Sequence, residues 1–220
     1  MGRSHHVFLT GGTGYIGRRV IPALLARGHR VRALARSGSE GKLPAGCEAV
    51  VGNALDETTF CSSVPPADTF LQLVGVAHPS PAKAAEFRAV DLASARASAK
   101  AAAEAGVSHF VYISVAQPAP VMKAYVEARA EGEAAIRAAG VNATFVRPWY
   151  VLGPGHRWPY LILPAYWLLE LLPASRDTAR RLKPVTLPQV VATLVAAVEN
   201  PPAGVRIIEA AEIRRATRGG

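Results

Sequence analysis

The run Thr10-Gly-Gly-Thr-Gly-Tyr-Ile-Gly17 follows a short apolar stretch, Val7–Thr10, and opens a segment with helical spacing. Ile16, Val20 and Leu24 fall on one face at i, i+4 and i+8. Gly11, Gly14 and Gly17 form a G-x-x-G-x-x-G pattern. Glycine permits the tight turn and a close approach of the backbone to a ligand, while free N–H groups at a helix start favour an anion. A strand, a glycine turn and a helix in this order imply a dinucleotide diphosphate held by Gly11, Thr13, Gly14, Tyr15, Ile16 and Gly17. The alternative is a plain tight turn.

The rest of the chain keeps alternating. Strands are expected at Arg30–Ala35, Glu48–Val51, Thr69–Val76, His109–Ser114, Ala143–Arg147 and Val205–Ala210. Helices are expected at Tyr15–Arg27, Thr58–Ser63, Ala82–Ala105, Met122–Ala139 and Leu187–Glu199. Such alternation implies an α/β fold, a Rossmann-type doubly wound parallel sheet with helices on both faces. With 220 residues the chain is long enough for one sizeable domain and short for two. Residues 148–220 are expected to form a small C-terminal lobe at the carboxyl edge of the sheet.

The formal net charge of +9 admits a polyanionic partner or a basic surface that helps hold an anionic cofactor. The basic residues are scattered and no nucleic-acid motif occurs, so no nucleic-acid partner is expected. Cys47 and Cys61 form no C-x-x-C pair, and His5 and His6 alone make no zinc site. The expectation is a reducing cytoplasmic setting, no signal peptide and no metal.

The cofactor type turns on the end of the second strand. A site for NAD usually places an acidic residue there to bind the ribose 2′-OH. No acidic residue occurs before Glu40; Arg32 and Arg36 flank the strand end, and Arg18 follows the last loop glycine. A guanidinium matches a 2′-phosphate through paired hydrogen bonds. NADP is therefore expected over NAD, with Arg36 the first candidate contact and Arg18 the second. Arg32 reads equally as a solvated strand residue.

The segments TGGTGYIG (10–17), VRALAR (31–36), FVYIS (110–114), YVEARAEGE (125–133) and FVRPWYVLGPG (145–155) occur in an order that resembles one superfamily. It is the short-chain dehydrogenases/reductases, in their extended and atypical branch: the NAD-dependent epimerase/dehydratase and NmrA-like proteins. The resemblance implies that Asn53, with Ala54 and Leu55, lies by the adenine. It also implies that Val74, Gly75 and Val76 line the ribose and pyrophosphate side, up to His78, and that Pro148 contacts the cofactor.

Such enzymes use a Tyr-x-x-x-Lys pair on the helix after the fifth strand and a Ser or Thr at that strand's end. Tyr125 and Ser114 occupy two of these places, and Arg129 stands where the lysine would be. The four-residue spacing puts Tyr125 and Arg129 on one helix face. Arginine keeps a charge that favours a phenolate but does not readily release a proton. Tyr125 is thus a candidate acid/base, or a helix-face tyrosine that binds cofactor or packs. The short Ser114–Tyr125 interval implies a reduced substrate loop compared with sugar-nucleotide enzymes of this kind. His78 is a second acid/base candidate or a loop cap. Asp91 is expected to support the loops by hydrogen bonding.

The richest apolar stretch, Trp158–Pro173, is broken by Pro164 and Glu170 and is too short to span a bilayer. With the basic residues that follow, to Lys183, residues 158–183 read as a lid, as the wall of a pocket for an apolar small molecule, or as a peripheral membrane contact. Two functions stay open: an NADP-dependent oxidoreductase or epimerase-like enzyme, and a non-catalytic nucleotide-sensing or assembly protein.

Overall fold

The computed structural model describes residues 3–154 and 181–216. In chain order the elements are β1 (His6–Thr10), α1 (Gly17–Ala26), β2 (Arg30–Ala35), β3 (Glu48–Val51), β4 (Thr69–Gln72), α2 (Ala84–Glu86), α3 (Ala93–Glu104), β5 (His109–Ile113), α4 (Lys123–Ala138), β6 (Asn142–Arg147), β7 (Val151–Leu152), β8 (Val185–Thr186), α5 (Leu187–Glu199), β9 (Val205–Glu209) and α6 (Ala210–Ile213). Seven strands form one sheet in the order β3-β2-β1-β4-β5-β6-β9, and every pairing is parallel. The strand order reverses between β1 and β4. At such a switch point the connections leave to opposite faces and open a crevice beyond the strands' carboxyl ends.

Successive side chains of a strand point to opposite faces. In β1, Val7 and Leu9 enter the core shared with α1, α5 and α6, where Val20, Leu24, Val190, Leu194 and Ile213 are buried. Phe8 enters the opposite core, under α3 and α4. The register sets Phe8 beside Phe70 and Phe70 beside Phe110, with ring centroids 5.3 and 5.1 Å apart. Ala95, Ala99 and Ala102 of α3 are buried over this phenyl row. Their small side chains let the helix pack closely on the rings.

Three expected elements change. β4 ends at Gln72 because the Gln72 Oε1 accepts the Val74 N–H at 2.7 Å, turning the chain out of the ladder. The expected helix at Thr58–Ser63 is two 3-10 turns, Glu57–Thr59 and Cys61–Ser63. The expected helix over Ala82–Ala105 is interrupted by a π-helical stretch, Phe87–Leu92, between α2 and α3.

Part of the expected lobe is built into the main layers. α5, with a capping box between Thr186 and Gln189, covers one face, and β9 pairs with β6. β7 and β8 form a separate short parallel pair. The apolar stretch Trp158–Pro173 lies outside the described residues, as does its basic continuation up to residue 180. Among the described residues no helix is long and apolar enough to cross a membrane.

Candidate functional site

The turn after β1 is built by backbone contacts that side chains would block. Gly11 has a φ of +81°, and a Cβ there would stand 2.8 Å from the Leu73 carbonyl carbon. A Cβ at Gly17 would collide with the Gly11 carbonyl oxygen. Gly14 N–H donates to the Gly11 carbonyl at 3.0 Å, and Arg18 N–H to the Gly14 carbonyl at 3.1 Å. No side chain caps α1, and no acidic residue lies in its first turn. Its positive dipole end therefore faces the crevice uncompensated by the chain's own carboxylates. A backbone cradle closed to Cβ atoms and aimed by a helix start fits a diphosphate.

The arginines near this turn differ in their commitments. Arg32 Nη1 donates to the Ser63 and Pro65 carbonyls at 2.7 and 2.8 Å, and Nη2 pairs with Glu48 at 3.0 Å. Arg32 is thereby a strand-bracing residue. Arg18 and Arg36 are exposed, and their side chains make no hydrogen bond or ion pair among the described residues. Asn53 Oδ1 accepts the Leu55 N–H at 3.1 Å, closing a local turn after β3, and Leu55 is exposed.

Beyond the ends of β1, β4, β5 and β6 lies a cleft of about 400 Å³. It brings together Gly11, Gly14, Tyr15, Ile16 and Gly17 of the turn with Gly75, Val76, His78, Ser114, Tyr125, Arg129 and Pro148. Thr13, Arg18, Arg36, Val74 and the Asn53–Leu55 turn lie outside its walls. Leu73, Trp149, Tyr150 and Val151 line it as well; the reading of the sequence placed the last three in a resemblance segment but named none of the four as a site residue.

Tyr125 packs its ring against Phe87 at 5.0 Å, and its hydroxyl has no hydrogen-bond partner among the described residues. Arg129, four residues on, is 4% exposed. Its Nη2 meets Asp91 Oδ1 at 2.7 Å, and its Nη1 donates to the Ile113 carbonyl at 2.9 Å. The guanidinium carbon lies 5.3 Å from the Tyr125 ring centroid and 5.6 Å from that of Tyr112. Gly75 sits against the same guanidinium, where a Cβ would clash. Burial works against the Arg129 charge, but Tyr125, Tyr112 and Asp91 outweigh it and hold the proton more firmly than usual. Burial pushes the Asp91 carboxyl above its usual range, with Arg129 and the Val76 N–H pulling the other way.

Ser114 faces the cleft from the end of β5, with its hydroxyl bonded to the buried Glu133 at 2.7 Å. Tyr125, Arg129 and Glu133 form one stripe at four-residue intervals along α4. Gln72 is a second polar residue that the reading of the sequence passed over. It accepts from Thr10 Oγ1 at 2.6 Å and donates to Ser94 Oγ at 2.9 Å. Its signal was a lone amide closing an apolar strand. Among the described residues no group of three or more His, Cys, Asp or Glu could hold a metal ion.

The model of the NAD(P)H-binding family matches residues 11–157. A ceramide reductase of Caulobacter vibrioides is 29% identical over 212 residues, which cover 95% of this chain and 65% of that protein. This chain thus spans about two-thirds of that relative's length. Among solved structures, the Bordetella bronchiseptica enzyme WbmH in complex with NAD+ superposes with a TM-score of 0.68 at 18% identity, over 93% of this chain and 75% of that one. A dTDP-glucose 4,6-dehydratase, DesIV of Streptomyces venezuelae with NAD bound, superposes at 0.69 and 18% identity, over 92% and 75%. These likenesses establish the fold.

Proposed function

Because the chain belongs to the NAD(P)H-binding family of the short-chain dehydrogenase/reductase superfamily, we propose that it is an NADPH-dependent reductase of a carbonyl on an apolar, lipid-like substrate. The observation that carries this reading is one cleft in which the glycine turn, Ser114 and Tyr125 share walls with Ile113, Val76, Pro79, Trp149 and Tyr150. The ceramide reductase relative supports a lipid substrate class. A predominantly apolar wall with a few polar groups is what orients such a molecule.

The glycine turn and the start of α1 would hold the diphosphate. The unpaired Arg36 and Arg18 would take the 2′-phosphate, which supports NADPH over NADH. A bound nicotinamide would supply a hydride to the substrate carbon. Tyr125 gives its proton to the substrate oxygen as negative charge develops there. The Arg129 charge 5.3 Å from the Tyr125 ring favours the resulting phenolate, which regains a proton from water. Arg129 itself stays protonated and passes on no proton.

A second reading, a nucleotide-responsive regulator without turnover, is favoured by one observation. The residue in the lysine's place is an arginine committed to Asp91. Melting curves with NADPH and NADH, and NADPH oxidation with 2-octanone as carbonyl probe, separate the two. The reductase reading expects a larger shift with NADPH, about 2.7 kcal/mol at a hundredfold excess over Kd. It also expects turnover that falls at least about a hundredfold in Tyr125→Phe. NADPH stabilisation with no reduction of any carbonyl probe would favour the regulator.

A further inference from the structure

Gln72 closes β4 as a fully buried amide, in a strand buried along its whole length. Its neighbours settle which way the amide faces. The Val74 N–H can only donate, and it meets Oε1 at 2.7 Å. Thr10 Oγ1 donates to the same oxygen at 2.6 Å. Nε2 donates to Ser94 Oγ at 2.9 Å, and the buried Ser94 hydroxyl donates in turn to the Asp91 carbonyl at 3.1 Å. Thr10 and Gln72 are the last paired residues of their two strands. β1, β4 and α3 thus meet at one side chain.

Beyond Gln72 the chain leaves the ladder, and its N–H groups need other acceptors. Side chains supply them two residues apart: Gln72 Oε1 takes the Val74 N–H, and Asp91 Oδ2 takes the Val76 N–H at 3.1 Å. In a trans peptide the N–H and the C=O point opposite ways, so holding the Val74 N–H also aims the Leu73 carbonyl. That peptide backs the glycine turn. A Cβ on Gly11 would stand 2.8 Å from the Leu73 carbonyl carbon and 2.9 Å from the Val74 nitrogen, and Leu73 and Gly11 both line the cleft. We propose that Gln72 is a positioning residue for the dinucleotide: it locks the Leu73–Val74 peptide against Gly11, so that the turn and the exit of β4 are presented as one rigid wall. Gln72 has no exposed surface and acts through that peptide. Without the lock the peptide rotates, and affinity falls with the fraction of molecules that keep the fitting orientation. The wall lies on the diphosphate side, which NADPH and NADH share, so both lose equally. The lock serves a reductase and a regulator alike, since both bind the dinucleotide.

Calorimetry with NADPH and NADH on the full chain reads the lock. Gln72→Met keeps the length of the side chain and removes both its acceptor and its donor. It should raise the Kd for both dinucleotides about tenfold, by the same factor. Phe70→Leu, two residues earlier on the same face of β4, controls for general damage. It should lower the urea midpoint and leave both Kd values within about twofold. A Gln72→Met chain with wild-type Kd values overturns the proposal, and so does an equal loss of affinity in Gln72→Met and Phe70→Leu. A loss confined to NADPH overturns it as well, because that would be an effect at the 2′-phosphate. If Gln72→Met does not fold, Ser94→Ala decides. It removes the anchor of Nε2, leaves Gln72 in place, and should weaken both dinucleotides about threefold to fivefold. Unchanged values there overturn the proposal. The lock rests on dinucleotide binding at the glycine turn. A wild type that binds neither dinucleotide brings down that reading too, whereas a wild-type Kd that survives Gln72→Met removes the lock alone.

Discussion

The Asp91 carboxylate meets the Arg129 guanidinium at 2.7 Å, and the same carboxylate accepts the Val76 N–H at 3.1 Å. The loop at one side of the cleft is thereby tied to the helix that carries Tyr125. Asp91→Ala would leave a buried guanidinium without its counter-charge, which costs about 3–5 kcal/mol. We expect urea unfolding to register a loss of that order, with NADPH binding weakened in whatever fraction stays folded. A loss below about 1 kcal/mol would show that the pair does not brace the cleft.

Arg36 has no partner to lose among the described residues, so its removal should leave stability alone. The cost should appear in one cofactor only. Arg36→Ala is expected to raise the Kd for NADPH about tenfold to a hundredfold, the worth of a charge-assisted hydrogen bond. NADH affinity should stay within about twofold. Calorimetry with both dinucleotides reads the difference, and equal losses for the two would remove Arg36 from the 2′-phosphate site.

Gly17→Ala puts a Cβ against the Gly11 carbonyl oxygen and the Gly12 backbone. Something must shift at the diphosphate cradle, at a cost of about 1–3 kcal/mol. The NADPH-induced rise in melting temperature should shrink or vanish, while far-UV circular dichroism stays native. An undiminished rise would place the dinucleotide elsewhere.

His109 supplies a pH dependence unrelated to the cleft. It is 1% exposed, with Nε2 3.0 Å from Thr144 Oγ1. Burial first, then the Arg206 charge, pushes its pKa down from 6.5 to about 4. The folded protein keeps His109 neutral while the unfolded chain takes up a proton below about pH 6.5. Stability from this group is whole above pH 6.5, declines as the pH falls toward 4, and levels off below that. The shift corresponds to about 3 kcal/mol. His109→Gln should flatten the stability profile between pH 6.5 and 4; an unchanged slope would assign the acid sensitivity to another group.

The layers of the fold were readable because strand and helix periods differ and are long enough to see. β2, β3 and α5 begin and end where the residue pattern places them. The breaks were not readable, because each comes from a contact distant in the chain. β4 stops where Gln72 turns to hold Val74, Thr10 and Ser94. Within the candidate site, Tyr125, Arg129 and Ser114 were visible through their spacing. Glu133 was hidden, since its four-residue offset from Arg129 looks like any helical ion-pair position until β5 and β6 are packed beside it. Trp149 and Tyr150 reach the cleft from a coil segment with no period to read.

The π-helical stretch Phe87–Leu92 has a consequence for how this cleft could be reshaped. One extra residue in a helix rotates everything on one side of it by about 100°. The surface facing the phenyl row and the surface flanking Tyr125 are thus set by two segments out of angular register with each other. Residues on the α2 side, where Ala84–Glu86 are exposed, can drift in size or polarity while Ala95, Ala99 and Ala102 stay fixed against the sheet. A change beside Tyr125 then requires no repacking of the alanines over the phenyl row.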